Sequence, residues 1–88
     1  MCRNIRVLHN FEPPTTPDEI RAAALQYVRK VSGLAKPPQA DLEAFDAAID
    51  AVTAATTTLL ESLTSRGSVR TREGEREKAQ RRWQMRKM

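Results

Sequence analysis

The pattern of apolar and polar positions predicts two α-helices of unequal length. In the first stretch, apolar residues follow one another at alternating spacings of four and three, as they do on the buried face of a helix. In the second stretch the same spacing continues for three heptads. The predicted helices cover residues 16–33 and 41–66. Their apolar stripes consist of Ile20, Ala24, Tyr27 and Val31, widened by Leu25 and Val28, and of Leu42, Phe45, Ile49, Val52, Thr56, Leu59 and Leu63.

Residues that start and stop helices flank both stripes. Thr16 and Glu19 have the spacing of a capping box, in which each side chain bonds the backbone amide of the other residue. Gly33 can end the first helix in the left-handed conformation. For the second helix, the pattern predicts Asp41 as the N-cap and Gly67 as the C-terminal cap. The sequence therefore predicts an all-α fold built on an antiparallel two-helix hairpin.

The unequal lengths leave part of the second helix without a partner in the hairpin. At 1.5 Å per residue the first helix spans about 24 Å and the second about 38 Å. We expect the N-terminal arm, residues 1–15, to pack across the overhang, and a second subunit to cover the overhang where the arm does not. The residues concerned are Ile5, Leu8 and Phe11 on the arm and Leu59, Leu60 and Leu63 on the overhang.

Charge divides the chain at Gly67. The 88 residues carry a net charge of +4. Residues 1–67 contain seven basic and eight acidic side chains, whereas residues 68–88 contain eight basic side chains and three glutamates, a net of +5. The tail has no apolar stripe. The sequence therefore predicts a helical body over residues 1–67 and a basic tail over residues 68–88 that is a frayed, solvated helix or disordered.

Composition excludes several classes of protein. A single cysteine excludes a disulfide within one chain and a Cys/His zinc site with several cysteines. No apolar run approaches the ~20 residues of a membrane span, and the N-terminus lacks the apolar stretch of a signal peptide. We expect a cytoplasmic protein without a cofactor. Because so short a chain buries little surface, self-association is expected to add to its stability.

Cys2 and His9 are the candidates for chemistry on the arm. Removal of Met1 would place an α-amine next to the Cys2 thiol, and a terminal amine can act as the base for a nucleophile. Cys2 and His9 could also share a metal ion. Two scattered ligands are weaker support than four at a recognisable spacing. The favoured interpretation is therefore a small buried Cys2 and a partly exposed His9, with a thiol or metal site as an alternative.

The charge of the basic tail is best explained by a segment exposed to solvent. Binding to nucleic acid, or to an acidic protein or membrane surface, is the alternative. The cations of the tail could contact phosphates without reading sequence, and Trp83 could stack on an exposed base. An acidic protein or a membrane surface is the other alternative, although no apolar face accompanies the charge. The nucleic-acid candidates are Arg70, Arg72, Arg76, Lys78, Arg81, Arg82, Trp83, Arg86 and Lys87.

No pattern of residues identifies a catalytic site. The sequence has no Gly-rich phosphate loop, no Ser/His/Asp spacing and no paired-carboxylate site. Asp46 and Asp50 are one helical turn apart and are expected to face water. The leading hypothesis is a non-enzymatic helical interaction module, with a second copy or another protein bound through the alanine-rich helices. Weak nucleic-acid binding by the tail is the first alternative.

The chain resembles a family of short bacterial proteins known only as a domain of unknown function. The shared residues are Met1-Cys2-Arg3-Asn4-Ile5, Asn10-Phe11-Glu12-Pro13-Pro14, Glu19-Ile20, Ser32-Gly33, Lys36-Pro37, Ala44-Phe45, Leu59-Leu60 and Leu63, with a looser match at Arg70, Arg72 and Glu73. Members of the family have Ser where this chain has Pro38, and Asn where it has Asp41. They also have a Pro-Pro pair where this chain has Arg66-Gly67-Ser68. The resemblance implies bacterial origin and a compact helical body, but no activity and no catalytic residues.

Overall fold

Three α-helices make up most of the chain. The structure is a computed structural model that describes residues 4–64 and 67–87, without the side chain of Lys87. α1 spans Pro17–Ser32, α2 spans Leu42–Ser62 and α3 spans Arg72–Lys87, with a short 3₁₀ turn at Gln39–Asp41 before α2. No strand occurs in these ranges, apart from one isolated β-bridge. The predicted all-α class is therefore confirmed.

α1 lies between the two predicted caps. The Thr16 hydroxyl accepts a hydrogen bond from the Glu19 amide, and a Glu19 carboxylate oxygen accepts one from the Thr16 amide at 2.8 Å. Gly33 follows the last turn with a φ of 74° and donates its amide hydrogen to the Arg29 carbonyl. Both ends of α1 are therefore set by local contacts that the sequence pattern contains.

α2 begins after the predicted N-cap residue, but the predicted capping hydrogen bond is not formed. Asp41 is the N-cap residue, yet its side chain makes no capping hydrogen bond. Its amide instead donates to the Pro38 carbonyl at 2.9 Å, as part of the 3₁₀ turn. The turn therefore supplies the entry into α2 that a side-chain cap was expected to provide.

α2 ends earlier than predicted, and Gly67 is not its cap. The helix stops at Ser62, because Leu63 takes an extended conformation while its amide still bonds the Leu59 carbonyl. Just beyond the helix, the carbonyl of Thr64 accepts a hydrogen bond from the His9 ring at 3.3 Å. This carbonyl is therefore satisfied without a helical partner. Gly67 has a φ of 75°, but it lies in the connection between α2 and α3.

α1 packs against α2 through a small core. The buried apolar residues there are Ala24, Val28, Phe45 and Ile49, with Ile20 buried closer to the start of α1. The predicted seam of α1 is corrected: Val28 is buried, whereas Tyr27 and Val31 are 48% and 66% exposed. The buried positions on α1 are four residues apart, so the centre of the contact face is rotated by about 30° from the predicted seam, towards Val28 at the edge of the predicted stripe.

The arm covers less of α2 than predicted. The amides of Asn4 and Ile5 donate to the Gln26 side-chain oxygen, so this part of the arm lies along α1. Ile5 therefore does not reach the overhang. Leu60 is half-buried near Leu8 and Phe11, whereas Leu59 and Leu63 remain 55% and 45% exposed. The arm leaves most of the overhang uncovered.

α3 is a well-defined helix that leaves the body. Thr71 caps it, since its hydroxyl accepts from the Gly74 amide at 3.0 Å. Among the described residues, α3 packs against neither α1 nor α2. The Cα atoms occupy 45 × 36 × 16 Å, so the molecule is little more than one helix layer thick. None of the three helices is long and apolar enough to cross a bilayer.

Candidate functional site at the junction of the arm and helices

The arm is joined to the segment before α3 by backbone contacts. Phe11 and Arg70 form a parallel β-bridge. The Arg70 amide donates to the Asn10 carbonyl at 2.8 Å, and the Glu12 amide donates to the Arg70 carbonyl at 2.9 Å. Asn10 has a φ of 63°, a left-handed conformation that asparagine tolerates better than most residues. Residues 10–12 and 70 are thus held side by side.

Arg72 lies at the centre of this junction. Its Nε and Nη2 atoms donate to the two carboxylate oxygens of Glu19 at 3.0 and 2.7 Å. Its Nη1 and Nη2 atoms also donate to the carbonyls of Pro13 and Pro14. The guanidinium lies 5.3 Å from the centre of the Phe11 ring, within the range of a cation–π contact. One side chain therefore connects α3 to the arm and to α1.

Glu19 accepts hydrogen bonds from three parts of the chain. Besides Arg72, the donors are Arg6 at 3.2 Å and the amide and hydroxyl of Thr16. The Arg72 hydrogen bonds, followed by the Thr16 amide, lower the pKa of Glu19 from 4.5 to about 2. Burial opposes this shift only in part. The same hydrogen bonds raise the pKa of Arg72. A carboxylate so acidic is a poor general base near neutral pH.

A cavity of about 540 Å³ opens beside the junction. Its walls combine arm residues with the start of α1 and the end of α2. They consist of Leu8, His9, Asn10, Phe11, Glu12, Pro14, Thr15, Pro17, Ile20, Thr57, Leu60, Glu61 and Val69. The volume is sufficient for a small molecule. The wall combines apolar side chains with the His9 ring and the Glu12 and Glu61 carboxylates.

His9 lies in this wall with its ring engaged. Its Nε2 atom is 3.3 Å from the Thr64 carbonyl oxygen, which requires the tautomer with a proton on Nε2. Cys2, the partner proposed for a thiol or metal site, lies outside the described residues. Within residues 4–64 and 67–87, no group of three or more His, Cys, Asp or Glu side chains could hold a metal ion.

The nucleic-acid candidates separate into two groups. Arg70 and Arg72 lie in the junction, and the Arg70 guanidinium donates to the His9 carbonyl at 2.9 Å. The other described candidates lie on the exposed length of α3, where Trp83 is 55% exposed. They are Arg76, Lys78, Arg81, Arg82, Trp83 and Arg86, while the Lys87 side chain lies outside the described part.

α2 carries an exposed row of carboxylates, the acidic face of α2, which the sequence pattern indicated only in part. Glu43, Asp46, Asp50 and Glu61 follow at spacings of three, four and eleven, which places them on one face of the helix, and all four are exposed. α2 contains no lysine or arginine. Asp50 is paired with Arg21 at 2.7 Å, and the other three form no ion pair within the described residues.

The sequence did not predict the junction, because Glu19 was expected only to cap α1. The capping box accounted for Glu19, and no local signal linked it to Arg72, which lies 53 residues further along the chain. The looser family match at Arg72 was the one available signal. Long-range partners of a surface carboxylate leave no periodic pattern in a single sequence.

Comparison with known proteins identifies a family but no activity. A family model described as "Uncharacterized conserved protein (DUF2277)" matches residues 1–78. The match therefore includes the arm, α1, α2 and the junction, and it stops within α3. No curated protein and no solved structure matches the chain.

Proposed function

Because the chain belongs to the DUF2277 family of uncharacterised conserved proteins, we propose its function from its own geometry: it is a non-enzymatic helical interaction module that binds a second copy of itself. The uncovered end of α2 is the observation that carries this proposal. Leu59 and Leu63 face solvent there, and the arm was the only part of the chain expected to cover them. A second subunit is the remaining source of apolar cover for this end.

The exposed surface of the chain supports the proposal. A compact monomer of 9.9 kDa exposes about 5,200 Å² according to the scaling of monomeric proteins. This chain exposes 7100 Å². The excess of roughly 1,900 Å² matches the total area that a standard protein–protein interface buries. The radius of gyration, 15.5 Å against about 12 Å for a compact domain, indicates the same open shape.

The proposed body is an antiparallel hairpin of α1 and α2 in a cytoplasmic bacterial protein. Arg21 near the start of α1 pairs with Asp50. Ile20, one residue earlier, shares the cavity wall with Leu60 near the end of α2. Contacts that join the start of one helix to later parts of the next support the antiparallel arrangement. The hairpin leaves the apolar end of α2 free for association.

The two alternatives from sequence are less well supported. For nucleic acid, two of the candidate cations, Arg70 and Arg72, already donate to Glu19 and to carbonyl oxygens. For a thiol or metal site, His9 donates to Thr64. Its neighbours in the described chain supply no set of three ligands.

The test removes the apolar end of α2. We expect the wild-type chain to be a dimer at micromolar concentration, and the Leu59→Gln/Leu63→Gln variant to dissociate at least tenfold more readily, since each side chain loses apolar burial worth roughly 1–2 kcal/mol. Size-exclusion chromatography with light scattering over a concentration series measures both. Because both residues are about half exposed, the substitutions leave the core of the monomer intact.

Thr58→Gln is the matched control, because Thr58 is exposed on the same turn of α2 and lies outside the apolar stripe. We expect this variant to dimerise as the wild type does. A wild-type chain that remains monomeric throughout the concentration series would refute the proposed function.

A further inference from the structure

α3 lacks the contacts that normally stabilise a helix of its length. It has 16 residues, includes Gly74, and packs against neither α1 nor α2 in the described chain. Every residue from Arg76 to Arg86 is exposed. Isolated helices shorter than about 12–15 residues are marginal in water even when they are rich in alanine, and most helical stability in proteins comes from packing. α3 is close to this length and has a single alanine. α3 is therefore a helix that needs a surface to pack on.

The charges of α3 define that surface. Lys78, Arg81, Arg82 and Arg86 follow at spacings of three, one and four, so they lie on one face of the helix around Met85. We call these four cations the basic face of α3. Lys78 contacts Glu75 at 3.3 Å, and the three arginines form no ion pair among the described residues. Their partner is expected to be acidic.

The acidic face of α2, formed by Glu43, Asp46, Asp50 and Glu61, is opposite to it in charge, and the part of that face from Glu43 to Asp50 is similar to it in length. Within that length, three carboxylates on α2 face four cations on α3. The basic face extends for about 12 Å from Lys78 to Arg86, and the segment from Glu43 to Asp50 for about 10 Å. Neighbouring alanines on α2 at 47, 51 and 54 allow another helix to approach closely.

We propose that the basic face of α3 docks on the acidic face of α2 in a second copy of the chain. This inference rests on the proposed self-association and names the contact that accompanies it. Within one chain the two faces do not meet, because Arg70 and Arg72 anchor the start of α3 at the arm and α1. In the proposed dimer, α3 of each copy lies on α2 of the other copy. The two faces then meet, and α2 and α3 each gain a partner helix.

Charge reversal with complementation tests the contact. Arg81→Glu/Arg82→Glu reverses the basic face, and Glu43→Lys/Asp46→Lys reverses the acidic face at positions with no ion pair. We expect each variant alone to dimerise at least tenfold more weakly than the wild type, because like charges then face one another. An equimolar mixture of the two variants restores a heterodimer, detected by native mass spectrometry.

Arg29→Glu/Lys30→Glu is the matched control, since it makes the same change in net charge on an exposed turn at the end of α1. Unchanged dimerisation of the control, with loss in the α3 variant, supports the inference. An α3 variant that dimerises like the wild type overturns the inference but leaves the proposed function standing, and a monomeric wild type overturns both. Equal losses in the control and α3 variants, no recovery in the mixture, or a wild-type dimer that binds a DNA oligonucleotide through α3 and stays intact would each overturn the inference.

Discussion

Glu19 is the residue at which three parts of the chain meet. Its carboxylate completes the cap of α1 through Thr16, receives Arg6 from the arm and binds Arg72 at the start of α3. Hydrogen bonds that involve a charged group are stronger than neutral ones, and this carboxylate accepts several. Glu19 is 20% exposed, so solvent screens these contacts only in part. We infer that this one side chain contributes to α1, the arm and α3 together.

Stability should therefore depend on the ionisation of Glu19. Its pKa is about 2 in the folded chain and 4.5 in a free glutamate. A lowered pKa contributes stability above pH 4.5, and that contribution is lost as the pH falls from 4.5 towards 2. We expect Glu19→Gln to lower the free energy of unfolding by roughly 1.5–3 kcal/mol at pH 7, the range for hydrogen bonds to charged groups. Urea denaturation as a function of pH measures this loss.

Asp18→Asn provides the comparison, because Asp18 also lies in the first turn of α1 but makes no ion pair in the described chain. Its effect should stay within a few tenths of a kcal/mol, the size of a helix-dipole interaction. The difference between wild type and Glu19→Gln should vanish near pH 2. A difference that persists unchanged at that pH would show that the carboxylate charge is not responsible.

At the scale of helices, local signals predicted α1 better than α2. The capping box and Gly33 lie within α1 or next to it, so the sequence contains both partners of each contact. The end of α2 instead depends on His9, which reaches the Thr64 carbonyl from 55 residues away. The buried face of α1 differed from the prediction for a similar reason, since the partner helix selected Val28 over Tyr27. Contacts distant in sequence decided what local spacing could not.

The end of α1 gives a prediction that depends on backbone conformation alone. Gly33 has a φ of 74°, and an added Cβ would meet no atom within 4 Å. Gly33→Ala should lower the free energy of unfolding by about 1–2 kcal/mol, the cost of the left-handed conformation for an ordinary residue. Gly33→Asn should cost less, because asparagine tolerates this conformation. Thermal unfolding compares the two, and equal losses would contradict the argument.

At the scale of the whole molecule, the position of α3 depends on contacts that the sequence could not predict. The charge pattern indicated a basic tail but left helix and disorder open, because no apolar stripe assigns α3 a partner. The contacts that hold its start, from Arg70 and Arg72 to the arm, join residues about 60 apart in sequence. Of the candidate site, His9 was predicted as a partly exposed arm residue, and it is half-buried in the cavity wall.

The helical content of the chain should therefore depend on its concentration. If α3 is stabilised by packing on a second copy, dilution frees it, and a solvated helix of 16 residues loses much of its structure. Far-ultraviolet circular dichroism should show helicity that falls on dilution and on addition of salt, because salt screens the contact between exposed charges. The full-length Arg81→Glu/Arg82→Glu variant is the control, since it keeps the contacts of Arg70 and Arg72 but lacks the basic face, and its helicity should not fall further on dilution. Helicity that does not change with concentration or salt would mean that α3 is stable without a partner.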